Sequence, residues 1–250
     1  MSSNLYDEFS LVATPLPTPE RVLTIGAHPD DAEFGAGATL SRWADEGADV
    51  TMCITTDGSK GSWDPSERAA DLIERRKAEQ AASGEVMGAT SFVHLGHVDG
   101  ELEASMKLRL QFAKIIRTTK PDYVLTHDPW QRYQMHPDHR ATGISAVDAV
   151  VSAREPLAML DSDLAAHRPI ALLLWSADAP DHAEEVTDAY AQRKLEALLH
   201  HSSQVHTTMG DASDGAQELA AFRARIHEWH VQAGAPFGVG PAEVFKRLTP

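Results

Sequence analysis

Residues 21–31 read Arg21-Val22-Leu23-Thr24-Ile25-Gly26-Ala27-His28-Pro29-Asp30-Asp31. The first seven form a short, mainly apolar run of the length a buried strand takes. A polar turn follows. From residue 32 to 47 the apolar positions take helical spacing and end on Gly47, a residue suited to a helix C-cap. The same alternation continues outward. Further strands are predicted over residues 49–55, 91–95, 122–126 and 170–175. Helices are predicted over 66–88, opened by Ser66 and closed by Gly88, over 104–120, stopped by Pro121, and over 137–153, with Pro137 in the first turn. Two more are predicted over 186–201 and 214–233. Strands alternating with helices at this spacing imply right-handed βαβ units and an α/β fold with a mainly parallel sheet.

The chain has 250 residues, enough for one large α/β domain or two small ones, and 42% of them are hydrophobic, as in globular proteins. A net charge of −15 disfavours nucleic acid and anionic membranes as partners, because both select clustered Lys and Arg. The plain reading of that charge is solubility, and a local Arg can still serve an anionic substrate. Cys53 is the one cysteine, so no disulfide can form within the chain. Its place in the apolar run 50–55 marks it as core filler rather than a nucleophile. Residues 1–18 lack a basic start followed by an apolar run, and no stretch of 18 apolar residues occurs. No signal peptide or membrane span is therefore expected, and the expected location is cytoplasmic. Residues 1–20, with Pro15, Pro17 and Pro19, read as an extended arm that wraps the domain or packs on a neighbour, the latter implying a homo-oligomer. Residues 21–250 read as a single domain, with a flexible loop at 210–215.

In parallel sheets ligands bind beyond the carboxyl ends of the strands, at a topological switch point. The loops after Ala27, Thr55, Leu95 and Thr126 are therefore the places to look for chemistry. The first strand is followed by His28-Pro29-Asp30-Asp31. The fourth is followed by His127-Asp128-Pro129 and then His136-Pro137-Asp138-His139. His28, Asp31 and His139 together supply two imidazoles and one carboxylate, the three-ligand pattern of a catalytic zinc site that keeps a position for water. Pro29 and Pro137 each follow a His and fix the backbone as it turns into a helix. His136 and His139, three apart, project in similar directions. A lone His at a strand end is ordinarily structural; two clusters on one sheet edge are what point to a metal. His94 and His97 flank the end of the third strand, where one could line a pocket. His167, His182, His206, His227 and His230 carry no spacing signal. Gly35-Ala36-Gly37 lacks the spacing of a dinucleotide fingerprint and reads as small residues for close helix–sheet packing. The same ligand set also suits Fe(II), as in non-haem oxygenases. Strands alternating with helices do not suggest the double-stranded β-helix of those enzymes. A non-catalytic sugar- or nucleotide-binding module has no need of Asp30 beside a complete ligand set.

Ala27-His28-Pro29-Asp30-Asp31 with the later His136-Pro137-Asp138-His139 resembles the LmbE-like (PIG-L) zinc de-N-acetylases, and the likeness extends over roughly residues 21–248. Weaker echoes are Thr56-Asp57-Gly58, Arg76 with Glu79 and Gly88, Asp99-Gly100, Lys194 with His201 and Gln204, and Glu243 with Phe245. The resemblance implies a Rossmann-like three-layer sandwich and hydrolysis of an N-acetyl or other amide on a glucosamine unit. Substrate classes in the family include glucosaminyl-inositols, glucosaminyl-malate, N-acetylglucosamine lipids, glycopeptide sugars and thiol conjugates. An amidase of glucosaminyl-thiol conjugates is the nearest alternative.

Carried onto this chain, the resemblance makes His28, Asp31 and His139 the metal ligands and Asp30 the general base. His136 would stabilise the oxyanion or protonate the leaving amine, oriented by Asp138. These roles suit the chemistry. Bound zinc lowers the pKa of water toward neutrality, and a base must lie within hydrogen-bond reach of the proton it takes. Asp138 could instead serve the helix dipole near an N-terminus. Arg76 would bind a hydroxyl, carboxylate or phosphate of the substrate, its alternative being a surface ion pair with Glu79. Asp99 would bind sugar hydroxyls or assist the acid/base pair. Tyr133 would stabilise the oxyanion, although it stands three residues before His136 where the family pattern has two. Trp63 and Trp130 lie on functional-edge loops, where they would stack on a sugar or simply pack the loop.

Overall fold

A computed structural model describes residues 15–159, 163–210 and 215–250. The strands are β1 (Arg21–Gly26), β2 (Asp49–Thr56), β3 (Ser91–His97), β4 (Tyr123–His127), β5 (Ala171–Trp175), β6 (His182–Glu185) and β7 (Ala242–Leu248). The helices are α1 (Asp31–Asp45), α2 (Ala69–Met87), α3 (Met106–Thr119), α4 (Pro137–Arg154), α5 (Asp188–Leu199) and α6 (Ala216–Gly234). The strands form one sheet in the order β3-β2-β1-β4-β5-β7-β6. The first five strands run parallel; β7 is antiparallel to both its neighbours.

Side-chain alternation splits the core into two layers, as strand geometry requires. Val22, Leu125 and Leu173 face one side, packed with Leu40 and Trp43 of α1 and Phe245 of β7. Leu23, Ile25, Val124, Leu172 and Leu174 face the other, packed with Phe112 and Ile116 of α3 and Val150 of α4. The result is the expected three-layer sandwich. Cys53 lies within the second layer, its thiol pushed up to about 12 by burial, as befits core filler.

Two strands were not legible in the sequence. β6 has only four residues, three of them charged or His. β7 carries a buried Glu243, which breaks the apolar signature of a core strand. Together they add an antiparallel edge to the sheet. Helix α2 begins at Ala69, not at Ser66, whose N–H and hydroxyl both donate to Asp64 in the preceding turn. Gly88 does close α2, with φ 85°. Of the proposed arm, residues 1–14 lie outside the described residues. Residues 15–20 pack on the chain's own sheet: Leu16 N–H donates to Glu184 at 2.9 Å, and Tyr123 Oη donates to the Pro17 carbonyl at 2.9 Å. Residues 211–214 of the proposed flexible loop also lie outside the described residues. Among the described residues no helix is long and apolar enough to cross a membrane.

The strand order fixes the site. From β1 the chain moves outward through β2 to β3, then returns by α3 to β4 on the other side of β1. The loops leaving β1 and β4 therefore part company at neighbouring strand ends and leave a crevice between them, the switch point of an open α/β sheet.

Candidate active site

The turn after β1 is held in an unusual conformation. Asp30, at the N-cap position of α1, has φ 92°, a region that non-glycine residues seldom occupy and that surrounding contacts must enforce. Helix α2 supplies those contacts. Gln80 Oε1 accepts the Asp30 N–H at 3.1 Å. Arg76 donates to the Pro29 carbonyl at 2.8 Å and the Gly58 carbonyl at 3.1 Å, and lies 3.5 Å from Asp30 Oδ2. Gly58 has φ 67°, and a Cβ there would come within 2.8 Å of the Arg76 guanidinium. Arg76 is thus buried and committed to the protein's own loop, although its edge lines the cavity. Behind it, Gln80 Nε2 donates to Glu33 at 2.6 Å, which also accepts from Ser83 and lies 3.2 Å from His201 Nε2.

His28, Asp31 and His139 meet at the crevice. His139 Nε2 lies 3.2 Å from His28 Nδ1 and 3.3 Å from Asp31 Oδ1, and His28 Nδ1 lies 3.5 Å from Asp31 Oδ2. These contacts, with Oδ1 towards His139 and Oδ2 towards His28, are near the separation of about 3.3 Å between ligand atoms that metal bonds of about 2.0–2.1 Å give in tetrahedral array, and two imidazoles with a carboxylate are donor types that a small divalent cation takes. The other ring nitrogen of His28 is occupied by carboxylates, with Asp138 Oδ2 at 3.1 Å and Asp99 Oδ1 at 3.3 Å. Metal-binding imidazoles are commonly oriented in this way, by a carboxylate on the nitrogen that faces away from the metal.

Asp138 lies elsewhere than beside His136 as a partner. Its carboxylate takes His28 and the N–H groups of Gly100 at 2.6 Å and Leu102 at 3.2 Å. His136 instead accepts the Asp138 backbone N–H on Nδ1 at 3.3 Å and so caps α4. Its ring stacks on His139 at 4.7 Å between centroids. Asp99 is likewise held by the protein, since its second oxygen accepts the Lys60 N–H at 3.1 Å. Ligand atoms lie within 4.8 Å of one another in three sets, His28/His136/His139, Asp31/His127/His139 and His28/Asp99/His136/Asp138, so the crevice gathers more donors than three.

Electrostatics divides the two adjacent aspartates. Burial raises Asp30 to about 6, while Arg76 and His201 pull it the other way. Asp31 is buried too, but His139 and His127 overcome that and hold it well below the usual carboxylate range. Burial favours a neutral His28, yet Asp138, Asp31 and Asp99 outweigh it and hold the ring well above its ordinary value. Burial, with His28 and His139 nearby, lowers His136.

The crevice is a cavity of about 670 Å³ lined by these groups, and by Lys60, Gln204, Thr208 and Trp229 on its outer side. That is within the range for a small-molecule site. Tyr133 is 89% exposed, with φ 64°, and does not line it; neither do Trp63, Trp130, His94 or His97. Sequence reasoning assigned no role to His127, Trp175, Glu33, Gln80 or Trp229. The signal for His127 and Trp175 was their position at the carboxyl ends of strands; for Glu33 and Gln80 it was polarity on the buried face of a helix.

Comparison with known proteins agrees with this geometry. Residues 23–150 match the sequence model of the PIG-L family, described as GlcNAc-PI de-N-acetylase. Diacetylchitobiose deacetylase of Thermococcus kodakarensis is 34% identical over 188 residues, covering 74% of this chain and 70% of the relative. A 1D-myo-inositol 2-acetamido-2-deoxy-alpha-D-glucopyranoside deacetylase of Kineococcus radiotolerans is 30% identical over 169 residues, 55% of this chain and 46% of that longer relative. The solved structure of N,N'-diacetylchitobiose deacetylase from Pyrococcus horikoshii superimposes with a TM-score of 0.82 at 29% identity, covering 92% of this chain and 84% of that one. With just over half of its length inside the family model and the site residues on the expected sheet edge, the chain belongs to the PIG-L (LmbE-like) family of deacetylases.

Proposed function

We propose that this chain is a zinc-dependent hydrolase that removes the N-acetyl group from an amino-sugar conjugate of the N-acetylglucosamine type. The observation that carries the reading is the coincidence, in one cavity, of the His28/Asp31/His139 donor set with a second, buried carboxylate, Asp30, whose surroundings give it a different protonation behaviour. His28, Asp31 and His139 would hold the ion. The mix of two imidazoles and a carboxylate suits zinc, which when bound supplies an activated water and polarises the acyl oxygen. Asp30 takes the proton from the attacking water and returns it to the amine nitrogen as the C–N bond breaks, so that acetate and the free amine leave. At a pKa of about 6 it is ionised at neutral pH and still basic enough to accept. His136, its Nδ1 engaged by the Asp138 N–H, carries its proton on Nε2 when neutral and donates there to the developing oxyanion. Asp138 and Asp99 fix the His28 ring. Arg76 keeps Asp30 in place rather than reaching for substrate. Relatives named for diacetylchitobiose and for a glucosaminyl-inositol support an amino-sugar substrate.

The test is release of free amine and acetate from N-acetylglucosamine, N,N'-diacetylchitobiose and an N-acetylglucosaminyl-inositol. It is run with native, chelator-stripped and zinc-reconstituted protein. Release that vanishes on stripping and returns with zinc is expected. Equal activity before and after stripping would contradict the reading.

A further inference from the structure

His127 closes β4 and is used by none of the roles above. The residue is 4% exposed. Nε2 lies 3.1 Å from Asp31 Oδ2, and Nδ1 receives the Trp175 indole N–H at 3.0 Å. An indole nitrogen can only donate. The ring nitrogen it faces must therefore carry a lone pair, and the imidazole proton then sits on Nε2, directed at Asp31. The Ala27 N–H also approaches Nε2, at the longer distance of 3.3 Å. The opposite tautomer would suit that contact, but it would set the indole N–H and the ring N–H head to head and leave the Asp31 oxygen facing a lone pair. A protonated ring would meet the same head-to-head clash at Trp175.

The indole is itself locked. Trp175 is 2% exposed, and α1 passes over it at Gly35, where a Cβ would stand 2.6 Å from the indole Cγ and Cδ2. The helix that begins at Asp31 thus seats, one turn later, the tryptophan that sets the tautomer of the histidine bound to Asp31.

We infer that Trp175 and His127 are a positioning pair for the metal-binding carboxylate. Trp175 fixes the His127 tautomer, and His127 donates Nε2–H to Asp31 Oδ2, leaving Oδ1, 3.3 Å from His139 Nε2, to face the metal. His127 is on this view no ligand, despite lying among donor atoms close enough to be one. The inference rests on the metal reading proposed above. Losing an outer hydrogen bond of this kind costs on the order of 10–100-fold in metal affinity.

The experiment measures zinc affinity by competition with a chromophoric chelator. It compares wild type, His127→Phe, His127→Gln and Trp175→Phe, with melting of each metal-free protein recorded alongside. The His127 tautomer is read by ¹⁵N NMR on metal-free wild type and Trp175→Phe. His127→Phe is expected to bind zinc about 10–100-fold more weakly. His127→Gln, whose amide N–H can reach the same oxygen, should recover most of that loss. Wild type should show the Nε2–H tautomer, and Trp175→Phe a shift toward Nδ1–H together with weaker zinc binding. Wild-type affinity in His127→Phe, no recovery in His127→Gln, or an Nδ1–H tautomer in wild type would each overturn the inference while leaving the metal reading intact. Wild type that takes up no zinc would overturn both.

Discussion

Asp30 and Asp31 are adjacent and both buried, yet their surroundings pull their acidities in opposite directions. Asp31 lies against the His139 and His127 imidazoles, which hold it well below the usual carboxylate range. Asp30 has turned into the left-handed region, where burial raises it more than the nearby Arg76 guanidinium and His201 lower it. Paired carboxylates driven apart in this way suit the division of labour between ligand and base proposed above. Replacing Asp30 with Asn is therefore expected to lower kcat by about 10²–10⁴ with zinc still bound at one per chain. Kinetics with metal analysis on the same sample checks this, and unchanged kcat would remove Asp30 from the role. The candidate donors were legible as a cluster because they sit at strand ends in short local motifs. Their supports were not, because each is joined to the site only through the fold: Gln80 lies 50 residues from Asp30, and Trp175 48 from His127. Asp138 was legible as a site residue but not in its partner, since His136 is its neighbour in sequence and His28 its neighbour in space.

Helix α1 shows how late sequence serves an early motif. The helix breaks at Ala36, where φ is −152°, and a break leaves backbone groups on either side without their helical partners. Glu243 of β7 accepts the N–H groups of Ala38 at 3.1 Å and Thr39 at 2.8 Å, and Lys194 of α5 donates to the Phe34 carbonyl at 2.8 Å. The two side chains pair with each other at 2.7 Å. They act as internal caps on the two halves of α1, which explains in physical terms the distant Lys and Glu of the motif pattern. His230 of α6 completes the cluster, its Nε2 3.3 Å from Lys194 Nζ. Burial, aided by Lys194 and opposed by Glu243, lowers His230 to about 4. Its unfolded value is about 6.5, so the neutral ring contributes stability that is fully present above pH 6.5 and is lost as pH falls toward 4, on the order of 3 kcal/mol. The melting temperature of metal-free protein should fall over that window, more gently in His230→Gln, whose amide oxygen can still accept from Lys194. Parallel pH profiles for the two proteins would contradict this. The antiparallel β6–β7 edge that carries Glu243 was the part of the sheet missed in the sequence, because polar residues placed there for α1 hide the strand pattern.

Over the whole molecule, the parallel order of β1 to β5 and the reversal between β1 and β4 place every donor of the crevice on one edge of the sheet. That much follows from the alternation of short apolar runs and helical spacing, together with the rule that chemistry gathers where the strand order switches. The cavity's outer wall does not follow from it, because Lys60, Gln204, Thr208 and Trp229 come from loops and from helices beyond the parallel core. The proposed hydrolysis depends on a metal lying among His28, Asp31 and His139. Diffraction from zinc-loaded crystals, with data on both sides of the zinc absorption edge, locates the ion directly. One anomalous peak is expected at about 2.0–2.2 Å from His28 Nδ1, the Asp31 carboxylate and His139 Nε2, with His127 and His136 outside bonding distance. A peak bonded to His127, or one lying among His136, Asp99 and Asp138, would contradict it.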